Sequence, residues 1–263
     1  MSNAQKSSGK MPVLFIGHGS PMNIIMDNGF TRSLASLGEK LPRPKSILVI
    51  SAHWLAKASL VTCMKNPEQI YDFFGFPPEL YQMRYPCEGD PIAAQRVARL
   101  TRYMVNCSTE WGLDHASWAV LAHMFPDADI PVIEMSLNYM MDPEYHYNLG
   151  KQLGALRSEG VLIIGSGNIV HNLRLMEYDM DARPYEWAVD IDETLKSLIL
   201  NGEHDRLVNF QNLGRHIDLA VPTNDHYLPM LCVLGLQEKN DGIAFIHEGI
   251  QNGSISMRCF MIG

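Results

Sequence analysis

A chain of 263 residues, 46% hydrophobic and 19% charged, is long enough to bury a substantial core and has the balance of an ordinary globular protein. The formal net charge of −8, with no clustered basic face, argues against a nucleic-acid partner. No apolar stretch approaches the roughly 20 residues that cross a bilayer and no signal-peptide pattern opens the chain, so a cytoplasmic protein without a membrane partner is expected.

Residues 1–10 read as a tag scar, Met1-Ser2-Asn3-Ala4, followed by a polar, disordered lead. The remainder, 11–263, reads as one domain. Met11 to Ile16 predicts a buried strand, Phe30 to Leu37 a helix after the Asn28-Gly29 turn, and Ser46 to Ile50 a second strand, which makes a β-α-β unit. Leu60 to Met64 reads as a more exposed strand. The stretch from Tyr71 to Tyr85 carries Phe73, Phe74, Phe76, Tyr81 and Tyr85 among Gly and Pro without a clean period, and reads as an ordered loop able to wall a planar ligand.

Asp90 and Pro91 are placed to cap and open a helix running to about Tyr103. An apolar segment ends at Met124, Ile130 to Leu137 reads as a strand, and Pro143 to Arg157 as a helix before the strand Val161 to Ile164. Further helices are expected over Pro184 to Leu200, Asp205 to Asn212 and Tyr227 to Leu236, the last capped by Thr223 or Asn224. Ile243 to His247 and Ser254 to Met261 alternate as two closing strands. The expected fold is α/β: a single domain with a central, mostly parallel or mixed sheet flanked by helices. The five cysteines, Cys63, Cys87, Cys107, Cys232 and Cys259, form no C-x-x-C pair and read as reduced thiols.

Histidines recur where apolar runs end. His18 follows Met11 to Ile16, His53 follows Ser46 to Ile50, and His171 comes soon after Val161 to Ile164. Parallel strands share a carboxyl edge, so residues just past several of them converge in one crevice. Converging imidazoles point to a metal site there, because neutral imidazole suits zinc and iron. His226, expected in a helix's first turn, is a plausible third ligand, and Glu248 a less favoured carboxylate alternative. His115 and His171 are ligands, proton carriers or substrate clamps. His123, His146, His204, His216 and His247 read as structural.

The segments Gly17-His18-Gly19-Ser20-Pro21-Met22-Asn23, Ser51-Ala52-His53-Trp54, Trp111-Gly112-Leu113-Asp114-His115, Gly165-Ser166-Gly167-Asn168-Ile169-Val170-His171-Asn172 and His226-Tyr227-Leu228-Pro229 occur in this order along the chain. Together they resemble the class III extradiol ring-cleaving dioxygenases, of the DOPA 4,5-dioxygenase type. The resemblance implies one mononuclear metal, zinc or Fe(II), held by His18, His53 and His226, where protocatechuate-cleaving relatives have a glutamate in the third position. His171 then matches a further metal-proximal histidine or the catalytic base, and His115 a substrate-binding or proton-transferring histidine. The implied partners are a small catechol such as DOPA and O2; a monomer and a homo-oligomer both remain open. A zinc-dependent hydrolase on the same site and a non-catalytic metal-binding protein are the competing readings.

Overall fold

The computed structural model describes residues 9–263. Residues 1–8, on which most of the tag-scar reading falls, lie outside the described residues. The chain runs β1 (Val13–Gly17), α1 (Gly29–Lys40), β2 (Ser46–Ala56), β3 (Ser59–Thr62), α2 (Pro91–Leu100), β4 (Val105–Ser108), α3 (His115–Met124) and β5 (Val132–Asn138). It continues through α4 (Pro143–Gln152), α5 (Ala155–Glu159), β6 (Val161–Gly167), α6 (Glu186–Leu200), α7 (His204–Val208), α8 (Ile217–Ala220) and α9 (Leu228–Gly235). The strands β7 (Ile243–His247), β8 (Ile250–Gln251), β9 (Ile255–Ser256) and β10 (Cys259–Ile262) close the chain.

Eight strands form one mixed sheet in the order β4-β3-β5-β2-β6-β1-β10-β7. Its middle, β5-β2-β6-β1, is parallel throughout, while β10 and β7 are added antiparallel on one side and β3 pairs antiparallel with β5 on the other. The parallel strands are buried on both faces, which is why they read as unbroken apolar runs. Val13, Phe15, Leu48, Ile50 and Ile163 pack on one face with α2, α4, α6 and α9. Leu14, Ile16, Ile47, Val49, Leu162 and Ile164 pack on the other with α1 and α3.

Capping chemistry sets several boundaries. Asn28 and Thr31 form a reciprocal capping box at α1, and Asp90 accepts from the backbone of Ile92 and Ala93 with Pro91 opening α2, as expected. Asp114 caps α3 by accepting from Ala116, which makes His115 that helix's first residue.

The structure alters six expectations. The helix expected over Asp205 to Asn212 breaks at Asn209 into α7 and a short 3-10 turn, Phe210–Asn212. The helix expected over Pro143 to Arg157 divides into α4 and α5 on either side of Leu153 and Gly154. The closing strand expected over Ser254 to Met261 divides as well, because β9 leaves the main sheet to pair with β8. The helix expected through Tyr103 stops at Leu100, where Thr101 caps it and Arg102 and Tyr103 turn to positive φ. His53 lies inside β2 rather than beyond it, where the pairing with β5 shifts register between Ile50 and Leu55. Such an irregularity re-aims a side chain without ending the strand. His226 precedes α9 instead of sitting within it: the Asn224 carbonyl accepts from Tyr227 and Leu228, and neither Thr223 nor Asn224 supplies a side-chain cap.

Candidate active site

Three segments bring the expected ligands together. His18 follows β1, and its backbone N–H donates to the Gly167 carbonyl at the end of β6 (3.1 Å). His53 projects from the irregular stretch of β2. His226 is held against β6 by its own carbonyl, which accepts from the Asn168 N–H at 2.9 Å. Gly167 permits that approach, since a Cβ there would stand 2.2 Å from the His226 carbonyl oxygen.

The three Nε2 atoms face one another, His53 to His18 at 3.2 Å and His53 to His226 at 3.3 Å. Each opposite nitrogen is occupied. His18 Nδ1 meets Ser166 Oγ (3.0 Å), His53 Nδ1 donates to Asp72 (3.0 Å), and His226 Nδ1 donates to Asp225 (2.6 Å). With their Nδ1 protons committed to carboxylates, the neutral rings of His53 and His226 direct bare lone pairs at each other. That arrangement repels itself unless a cation lies between them. Tetrahedral bonds of ~2.0–2.1 Å place ligand nitrogens about 3.3 Å apart, so the donor set fits a divalent metal. Carboxylates that orient ligating imidazoles from behind are the usual supporting partners of such a site.

Charge follows the same logic. Burial drives the His18 imidazole well below the usual histidine value, and the neighbouring histidines add to the effect. Burial likewise lowers His226, although Asp225 opposes it. At His53 burial also works against the charge, but the hydrogen bond to Asp72 and the fields of Asp114, Asp72 and Asp225 outweigh it and raise the value. What favours a proton on His53 favours a metal cation beside it. Asp72 resists its own burial through its bonds to His115 and His53, which hold it ionised well below the carboxylate range.

His171 and His115 complete the histidine cluster without joining the three converging nitrogens. The His171 ring stacks on His226, centroids 3.6 Å apart and planes within 10°. Its backbone N–H donates to the Ala220 carbonyl, and its imidazole makes no hydrogen bond among the described residues. Burial and then the His226 charge push it well below the usual value, leaving a neutral ring. His115 Nδ1 shares the Asp72 carboxylate with His53, at 2.9 Å. The grouping of His53, Asp72 and His115 also brings possible ligands close, but its contacts are hydrogen bonds made by the nitrogen of His53 that faces away from His18 and His226.

All five histidines border one cavity of about 410 Å³. The aromatic loop supplies Phe73, Phe74 and Phe76 to its wall, as expected, and Leu173 and Met176 line it as well. Tyr81 packs on Phe73 instead, and Tyr85 donates to the Phe125 carbonyl in the core. Glu248 takes no part, being held by Arg258 and by Lys196. The structural histidines also find local partners: His123 meets the Asn23 carbonyl, His146 the Asp142 carbonyl, His204 the Tyr147 hydroxyl and His247 the Ser33 hydroxyl.

Residues 12–257 match the family described as the catalytic LigB subunit of aromatic ring-opening dioxygenases. The chain belongs to this family. It is an extradiol ring-cleaving dioxygenase, an oxidoreductase whose family works with a mononuclear metal, a small aromatic substrate and O2. It is 45% identical to the 4,5-DOPA dioxygenase extradiol of Escherichia coli K12, across 98% of this chain and 96% of that one. It is 36% identical to the protein of the same name from Beta vulgaris, across 92% of each. A crystal structure of an uncharacterized protein from Escherichia coli K12 superposes with a TM-score of 0.85 at 41% identity, covering 97% of this chain and all of the other. No helix among the described residues is long and apolar enough to cross a membrane.

Sequence reasoning missed four supporting groups. Asp225 was within sight, adjacent to His226, and Ser166 lies in a quoted motif. Asp72 sits in the aromatic loop, where only the rings attracted notice. Glu134 is a lone charge inside an apolar strand; it accepts from Trp111 Nε1 (2.9 Å), the Asp114 backbone (3.1 Å) and the Ser117 hydroxyl, and so anchors the turn that presents His115.

Proposed function

We propose that this dioxygenase opens a catechol such as DOPA by 4,5-cleavage, with His18, His53 and His226 as metal ligands, His171 as the base and His115 as substrate clamp. The observation that carries this reading is the convergence of three Nε2 atoms on a cavity whose two other histidines are free of that contact. Fe(II) bound there would supply Lewis acidity toward the ring oxygens and an electron path to O2, the second of which redox-inert zinc lacks.

The chain's own residues supply proton transfer and positioning. A phenol with a pKa near 10 is mostly protonated at neutral pH, so binding as the catecholate requires an acceptor. His171 suits that role, since its ring is neutral, borders the cavity and has no competing partner. His115 differs because Asp72 fixes its Nδ1 as a donor, which leaves Nε2 to meet a substrate oxygen. The phenylalanines beside them offer a planar ring an apolar wall and restrict water. Holding both reactants in one orientation removes much of the entropic barrier. Both oxygen atoms end in the ring-opened product, so no external reductant is consumed.

Anaerobic loading with Fe(II), followed by oxygen-uptake measurements with DOPA and with unsubstituted catechol, tests the proposal. One O2 consumed per catechol is expected, with none in the zinc-loaded protein. Failure with every catechol would overturn it. The five free thiols suit a reducing compartment, which supports a cytoplasmic location.

A further inference from the structure

The five histidines of the substrate cavity form one cluster, each ring centre no more than 5.1 Å from another. The two oxygens of a catechol belong there, where the converging nitrogens and His171 lie. At about 410 Å³ the cavity also has room for a ring substituent, being of the size that holds drug-like ligands. A substituent meets the rest of the lining, in which Phe73, Phe74, Phe76, Leu173, Met176 and Ile255 predominate.

No lysine or arginine lines the cavity among the described residues. The one acid in that lining, Asp72, already accepts from His53 and His115. A charged tail therefore finds no free counter-ion, whichever way it points, and gives up part of its hydration to enter. An apolar tail gains instead. Phe74 and Leu173 are 91% and 58% exposed, so both have apolar surface left to bury. Each methylene removed from water against such a wall strengthens binding about fourfold.

We propose that this cavity favours catechols carrying an uncharged alkyl group over those carrying the amino-acid side chain of DOPA. DOPA is then a substrate held by its ring alone, and alkylcatechols are the better class. The inference rests on the catechol-cleaving function proposed above and specifies the substrate class of that same site.

The test compares DOPA with 4-propylcatechol, since each carries a three-carbon chain and they differ chiefly in the ammonium and carboxylate of DOPA; 4-methylcatechol is the third ligand. Anaerobic calorimetry on the Fe(II)-loaded protein measures binding apart from turnover. 4-Propylcatechol is expected to bind on the order of tenfold or more tighter than DOPA, and roughly fourfold or more tighter than 4-methylcatechol. Its heat-capacity change should be the more negative of the two alkyl compounds, as burial of apolar surface requires. Phe74→Ala combined with Leu173→Ala alters two exposed side chains, so folding is not at stake, and should bring the ratio of propylcatechol to DOPA affinity toward unity. Arg174 is exposed and outside the lining, so Arg174→Gln should leave DOPA affinity unchanged. DOPA binding as tightly as 4-propylcatechol, equal binding of the methyl and propyl compounds, a ratio untouched by the double variant, or a loss of DOPA affinity in Arg174→Gln would overturn the proposal. Failure of all three ligands to bind would do the same. Oxygen uptake with unsubstituted catechol judges the cleavage reaction separately.

Discussion

The imidazole of His171 lies flat against that of His226, 3.6 Å between centroids, so the two rings share a face but not a direction. His226 points its Nε2 toward His53, whereas His171 borders the cavity beside it. On the assignment proposed above, the stack separates a ligand from a base. His171→Gln should therefore retain near-full metal occupancy while turnover falls by ~10²–10⁴-fold, the usual worth of a positioned proton acceptor. His226→Ala should lose the metal. Metal content by mass spectrometry alongside oxygen uptake separates the two; a His171→Gln protein that comes out metal-free would make His171 a ligand.

Asp72 accepts from the Nδ1 of both His53 and His115, so one carboxylate sets two tautomers. An amide cannot do this, because its NH2 group would face one of the Nδ1 protons. Asp72→Asn should force one ring to turn or change tautomer and weaken metal binding by ~10–100-fold, the typical effect of losing an outer-shell partner. Competition with a chromophoric chelator gives the affinity directly. Unchanged affinity would reduce Asp72 to a loop anchor.

The legibility of this site in the sequence follows the range of the forces involved. His18 and His53 follow apolar runs of a parallel sheet, which forces strand ends together, so their meeting could be foreseen; His226 follows no strand and is reached through its motif and the family resemblance. The place of His53 inside β2 could not be foreseen. Ser51-Ala52-His53-Trp54 looks like a strand exit because small and polar residues interrupt the apolar run, yet the strand passes through by shifting register against β5. Asp72 was equally hidden, since its partners lie far along the chain and nothing local marks it apart from a surface acid. The break between α4 and α5 falls at Leu153 and Gly154, where a poor helix former interrupts a pattern that otherwise reads as one helix.

Gly167 makes a sharp test of how His226 is placed. A methyl group there would overlap the His226 carbonyl at 2.2 Å, and the adjacent Asn168 N–H already binds that oxygen. Gly167→Ala must push the His226 backbone outward, at a cost of ~1–3 kcal/mol by overpacking. The expected protein is folded, with metal affinity down tenfold or more. This would appear as an unchanged far-ultraviolet spectrum with a lower chelator threshold. Wild-type affinity would show that His226 tolerates the shift.

Glu134 is fully buried in β5, where burial and then the nearby Asp114 carboxylate raise its pKa well above the ordinary value. A group with a raised folded pKa binds its proton more tightly in the folded state, so its contribution is full below the unfolded value of about 4.3 and is lost as pH rises through the folded value. Glu134→Gln removes that titration. It also sacrifices one of two acceptors, since an NH2 group must face either the Trp111 indole or the Asp114 N–H and Ser117 hydroxyl. The variant should be less stable by ~1–3 kcal/mol at pH 6. Its deficit should shrink as pH rises, because only the wild type then loses stability through this group. Urea unfolding of both proteins at pH 6, 7.5 and 9, with the metal bound, measures the gap. A gap constant with pH would mean that Glu134 is already ionised in the folded protein.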